Sequence, residues 1–254
     1  MTHTFFKPLL IGLLMAFVLS LGVGLASAEP ELSPKEILHK ADQARGNTQG
    51  VEWQIHIKSV ERGREQERTL RVRARRFDSL AEFLAPPNVK GEKLLMLDRN
   101  MWFAKPGLSK PVPISPRQKL IGGASNGDIA STNYAGDYDV EKMSQEVIND
   151  ENCYCFDLKA ADKKATYDRI RYWVSVQRLV GVKAEFFSVS GKLFKSAVFQ
   201  YNNRVTIDGK PREFISQMVI TSALIKDDAT TMDYGQVLVE PVPDAVFNLN
   251  LLTR

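Results

Sequence analysis

Between residues 51 and 58 apolar and polar positions alternate, with Val51, Trp53, Ile55 and Ile57 separated by Glu52, Gln54, His56 and Lys58. Successive side chains of a strand point to opposite faces, so this period of two predicts a half-buried β-strand with one apolar face. A turn at Arg62-Gly63 leads into a return strand over residues 68–76, where Leu70, Val72 and Ala74 alternate with Arg71, Arg73 and Arg75. Across that hairpin Leu70 and Val72 meet Trp53, Ile55 and Ile57 on the shared apolar face.

The next stretch behaves differently. Strand character at residues 79–84 stops at Pro86-Pro87, where two rings remove two backbone donors from the ladder. Residues 94–97 and 101–105 then predict a hairpin about Asp98-Arg99-Asn100, ended by Pro106-Gly107. Both of its faces are apolar, since Leu94 to Leu97 oppose Met101, Trp102 and Phe103. A hairpin with one wet face would alternate, so a core is expected on one side and a cavity or covering element on the other.

A further short strand fits residues 110–114. Residues 115–137 break the pattern: they are rich in Gly, Ser, Asn and Asp, and unpatterned segments this long are often lids. Strand patterns resume at 139–149, 152–160, 167–174, 179–188, 192–201, 212–221 and 231–239, and Pro241 and Pro243 close the series. One helix precedes all of them. Ser33, Pro34 and Glu36 form a capping-box start, and Ile37, Leu38, Ala41 and Ala44 fall on one side before Gly46-Asn47. The chain is therefore mainly β, with about ten or eleven strands joined mostly by short turns. A curved sheet of that size with one apolar face encloses a space.

Residues 1–28 stand apart from this domain. Lys7, an apolar run from Leu9 to Leu25 and the small-residue end Ala26-Ser27-Ala28 are the parts of a cleaved export signal. The rival is an uncleaved anchor, for which a run of 17 residues is short. The mature protein is expected to begin at Glu29 and to be soluble. Charge adds little, because 34 basic residues stand against 30 acidic ones. The Arg-rich stretch from Arg62 to Arg76 alternates with apolar residues, which is the outer face of a strand and not a nucleic-acid footprint. The two cysteines, Cys153 and Cys155, lie on one strand face where a disulfide would be strained, so buried free thiols are expected. With His39 and His56 as the remaining mature histidines, the ligand set is too small for zinc.

No nucleophile elbow, metalloprotease helix, P-loop or dinucleotide glycine fingerprint is present. A binding protein is expected, with no catalytic residues, metal or cofactor. The apolar face predicts a cavity for acyl chains lined by Trp53, Ile55, Ile57, Leu70, Val72, Leu95, Leu97 and Trp102.

The export signal, amphipathic helix, Val51 strand and Arg-rich strand are followed by Phe83-Leu84-Ala85-Pro86-Pro87-Asn88-Val89-Lys90-Gly91 and by Met101-Trp102-Phe103-Ala104-Lys105-Pro106. In this order the chain resembles the LolA-like outer membrane lipoprotein-sorting proteins over most of its mature length. The resemblance implies a single domain over 29–254 with the fold of an unclosed antiparallel β-barrel, capped by the N-terminal helix and a lid over 115–137. It implies a periplasmic carrier whose cargo is an acylated lipoprotein or a lipid. An inner-membrane donor complex or transporter and an outer-membrane acceptor would be its partners, nucleic acid would not, and the protein would be a monomer. In such carriers an Arg near the end of the second or third strand latches the lid, and Arg75 or Arg76 matches it. The 115–137 segment is longer than in those relatives. The competing reading is a subunit that docks on a membrane transporter or envelope complex, its barrel filled by side chains.

Overall fold

The fold, seen in a computed structural model, is described for residues 1–2, 32–130, 132–207 and 209–253. The chain divides into two units, Met1–Glu31 and Leu32–Arg254. In the first only Met1 and Thr2 are described, so the rest of the expected export signal lies outside the described residues. Among the described residues no helix is long and apolar enough to cross a membrane.

The second unit opens with α1 (Pro34–Gln43). The Ser33 N–H donates to the Glu36 carboxylate at 2.8 Å and the Glu36 N–H donates back to the Ser33 hydroxyl, as the capping pattern predicts. Ile37, Leu38 and Ala41 are buried on its inner side. An antiparallel meander follows: β1 (Val51–Glu61), β2 (Arg64–Arg75), β3 (Asp78–Ala85), β4 (Lys93–Leu97), β5 (Asn100–Ala104) and β6 (Val112–Ile114). Register places Trp53 opposite Val72 and Ile55 opposite Leu70, so the alternation read along β1 and β2 becomes one apolar face. β3 ends at Ala85, directly before Pro86-Pro87.

Residues 115–137 contain structure of their own. β7 (Lys119–Ile121) and β8 (Ala124–Ser125) make a small ribbon, a 3-10 turn spans Asn126–Ile129, and α2 (Tyr134–Asp137) follows. Elements of two to four residues carry no readable period, which is why the pattern passes over them. The ribbon packs on the inner face of the sheet, with Ile121, Ala124 and Ile129 in the same core as Ile55 and Ile57. Gly122 makes this approach possible: at φ +53, a Cβ there would lie 1.8 Å from Ser59 Oγ on β1.

The chain then continues through β9 (Tyr138–Ile148), β10 (Glu151–Ala160), β11 (Arg169–Ser175), β12 (Gly181–Phe187) and β13 (Leu193–Gln200). A separate hairpin of β14 (Asn203–Ile207) and β15 (Lys210–Phe214) precedes β16 (Gln217–Ser222) and β17 (Ala229–Leu238). The run read as one strand over 212–221 is thus divided. After Phe214 the Ile215 N–H donates at 2.9 Å to the Ala44 carbonyl at the end of α1, and the chain joins the main sheet only at Gln217.

Thirteen strands form the main sheet, in the order β6-β5-β4-β3-β2-β1-β17-β16-β13-β12-β11-β10-β9. β1 and β17 join the two halves, with Ile55 opposite Tyr234 and Ile57 opposite Met232. Among the described residues β6 and β9 each pair on one side only, so the barrel is unclosed. Each strand run read along the sequence, the short one at 110–114 included, has its counterpart in this sheet, so the expected total of ten or eleven was too low.

Candidate functional site

The structure gathers five of the eight residues predicted to line a cavity. Trp53, Ile55, Ile57, Leu70 and Val72 are all buried in one cluster on the inner face. They pack against side chains instead of empty space: the Trp53 ring lies 6.2 Å from Phe214 and 6.4 Å from Tyr234 by centroid, and a Cβ on Gly46 would fall 2.4 Å from it.

Leu95, Leu97 and Trp102 lie on the opposite face. Leu94 pairs with Phe103 and both join the inner core, so the neighbouring pair Leu95 and Trp102 must point outward. There they are covered by the C-terminal tail through Val242, Phe247 and Leu252. The hairpin apolar on both faces therefore has a core on one side and a covering element on the other. Parity along β4 separates these residues, but two apolar faces give the sequence no means of choosing which looks inward.

Open space occurs at the end of the barrel beside α1. A cavity of about 740 Å³ is bounded by α1, the residues before β1, α2, β14 and the start of the tail. Phe77, Ala135, Ile207, Val239 and Pro241 supply apolar lining, and Lys35, His39 and Arg76 add basic groups. Several tethers hold α2 against α1. Lys35 Nζ donates to the carbonyls of Ala135 at 2.8 Å and Tyr138 at 2.6 Å, and the Ala135 N–H donates to Asp42 Oδ2 at 2.8 Å. Arg99 pairs with Asp137 on the far side of α2. Burial pushes the Asp42 carboxyl up to about 8, against the opposing pull of the Ala135 and Tyr134 amides.

Beneath this mouth lies a group that sequence reasoning missed. Arg45, only 5 % exposed, has its guanidinium carbon 4.2 Å from the Phe199 ring centroid and 5.3 Å from that of Tyr134. In the sequence it is an ordinary basic residue at a helix end, and nothing local marks it as interior.

A family model described as "-like: Uncharacterized protein" matches residues 76–254. Among solved structures, a LolA superfamily protein from Nitrosomonas europaea superposes with a TM-score of 0.78 at 29% identity, covering 87% of this chain and 99% of that one. The chain belongs to the LolA-like family. A putative outer membrane lipoprotein-sorting protein domain from Vibrio parahaemolyticus (TM-score 0.73, 18% identity, 87% and 98% covered) shares the fold. So does a DUF1329 family protein from Desulfovibrio piger (0.72, 21%, 86% and 97%). No curated protein matches the chain.

Within this LolA-like barrel the two candidate latch positions separate. Arg75 reaches the C-terminal tail, where it donates to the Val242 carbonyl at 3.3 Å, pairs with Asp244 and sits 5.1 Å from the Phe247 ring centroid. Arg76 donates to Gln49 Oε1 at 3.0 Å and lines the mouth. The 115–130 segment is pinned by Lys195, which donates to the Gly123 carbonyl at 2.7 Å and to Asp128 at 3.1 Å. Its one sequence signal is a lysine at the inward parity of β13, in step with Ala197 and Phe199. Cys153 and Cys155 are free and buried on the outer face of β10 with Trp173, and burial pushes the Cys155 thiol up to about 12.

Proposed function

We propose that this protein is a periplasmic carrier that shields the acyl chain of a lipid or lipoprotein during transfer toward the outer membrane, taking the chain at the mouth beside α1. The mouth is the supporting observation. Its 740 Å³ falls within the roughly 300–1,000 Å³ of small-ligand sites. It is bounded by α1, α2 and the β14–β15 hairpin, none of which belongs to the thirteen-stranded ladder. Widening it breaks side-chain tethers such as Asp42 to Ala135 and leaves the sheet intact. The likeness to a LolA superfamily protein and to a putative lipoprotein-sorting domain supports the same direction. The activity proposed is binding without catalysis or cofactor, and the raised Cys155 pKa keeps that thiol protonated and weakly nucleophilic. Export would remove residues 1–28 and leave Glu29 as the N-terminus.

The test is mass spectrometry of organic extracts from protein purified from its own envelope without detergent. Acyl-bearing species at near-equimolar amounts are expected, together with binding of a fluorescent fatty acid by the delipidated protein. The packing around Trp53 favours one alternative, a docking subunit with a filled barrel. Absence of both extracted lipid and fatty-acid binding would favour that reading.

A further inference from the structure

The interior of the barrel holds a cluster of polar groups without partners. Among the described residues Nε and Nη1 of Arg45, Nε1 of Trp53, the hydroxyls of Tyr172 and Tyr201 and Oδ1 of Asp42 are buried with no partner. No ion pair joins Arg45 to a described carboxylate. Asp42, one turn earlier, gives one oxygen to the Ala135 amide, and burial favours its neutral acid, which cannot neutralise a guanidinium. Water would satisfy the N–H groups but not the charge, and a buried cation without a counter-ion is costly. The rings of Phe199 and Tyr134 lie against the guanidinium, which fixes its position. The sequence neighbours of these groups, Gln43, Asn47, Asn133 and Ala135, line the open mouth, and Arg45 itself lies behind that lining.

We infer that the cargo is an amphiphile with an anionic head, a carboxylate or phosphate on an acyl or alkyl chain, and that Arg45 receives the head inside the barrel while the chain lies along the apolar lining of the mouth. This rests on the carrier reading above and narrows it. Even with Asp42 Oδ1 counted as an acceptor, the unpartnered N–H groups of Arg45 and Trp53 outnumber it, which matches an acceptor-only anion, whereas a neutral diacylglyceryl group would leave the charge unpaired. The Tyr201 and Tyr172 hydroxyls are placed to complete the set.

Displacement of a neutral fluorescent probe by dodecanoate, dodecanol and acetate tests this on the delipidated mature protein. Wild type should bind dodecanoate at least about tenfold more tightly than dodecanol, the ratio that one charge-assisted hydrogen bond supplies. Arg45→Met should bring the two together, and Arg45→Lys should retain the preference. Equal binding of both ligands by wild type overturns the head-group assignment and leaves the carrier standing. A preference that persists in folded Arg45→Met overturns the role of Arg45. Acetate competing as well as dodecanoate makes this a bare anion site and overturns the amphiphile, and binding of neither chain removes the carrier reading and this inference together. Should Arg45→Met fail to fold, the wild-type ratio and Arg45→Lys still decide.

Discussion

Lys195 and Asp128 form an ion pair at 3.1 Å with about 5% of either side chain exposed. The Tyr167 hydroxyl donates to the same carboxylate at 2.7 Å, and its ring centroid lies 4.6 Å from the lysine nitrogen. One buried pair thus ties the turn after β8 to the inner face of β13. Lys195→Met should cost about 3–5 kcal/mol, because it strands a buried carboxylate. Urea denaturation measures the loss, and hydrogen exchange should locate it in residues 119–129. Unchanged protection there would mean that the ribbon is held by its apolar contacts alone.

The C-terminal tail depends on a weaker contact. Arg75 is partly exposed and its partner Asp244 mostly so, so Arg75→Ala should cost no more than about 1 kcal/mol of global stability. Limited proteolysis should nevertheless cut the tail faster in the variant. Deleting residues 244–254 should bare Leu95 and Trp102 and raise the binding of a hydrophobic dye. A truncated protein that binds no more dye than wild type would contradict the covering role.

Asp42 gives stability a pH dependence of defined sign. Its carboxyl is pushed by burial from the ordinary 3.8 up to about 8, so between those values the folded state holds a proton that the unfolded chain releases. The contribution is complete below the lower value and is lost as pH rises through about 8. The charges facing it are Arg45, which opposes the shift, and Asp137, which adds to it. Tm should therefore fall between about pH 5 and pH 8, and Asp42→Asn should flatten that fall. Parallel pH profiles in the two proteins would assign the slope to another group.

Aspartate substitutions separate the mouth from the packed interior. Ile55 is fully buried among side chains, so Ile55→Asp should destabilise by several kcal/mol and fail to fold before binding can be measured. Ile207→Asp, in the mouth, should fold and weaken fatty-acid binding about tenfold or more. Lys58→Asp, on the outer face, should change neither. Binding unaffected by Ile207→Asp would move the ligand site elsewhere.

Local chemistry determined the elements whose causes lie within a few residues. The Ser33–Glu36 cap, the alternation from Val51 to Ile57, the Gly63 turn and the stop at Pro86-Pro87 each act through neighbours in the chain, and each stands in the structure at those positions. Even the doubly covered hairpin was legible, because two apolar faces need two partners. Long-range register decided the rest. Leu94 faces inward and Leu95 outward because β2 and β3 hand the pleat across the sheet, a relation spanning many residues of sequence. Arg45 has the local surroundings of a surface cation, Lys195 has only its parity on β13 to mark it, and both are buried because distant strands close over them. Their desolvation, and with it the character of the site, exists only once the thirteen-stranded sheet has curved around α1 and the 115–130 segment.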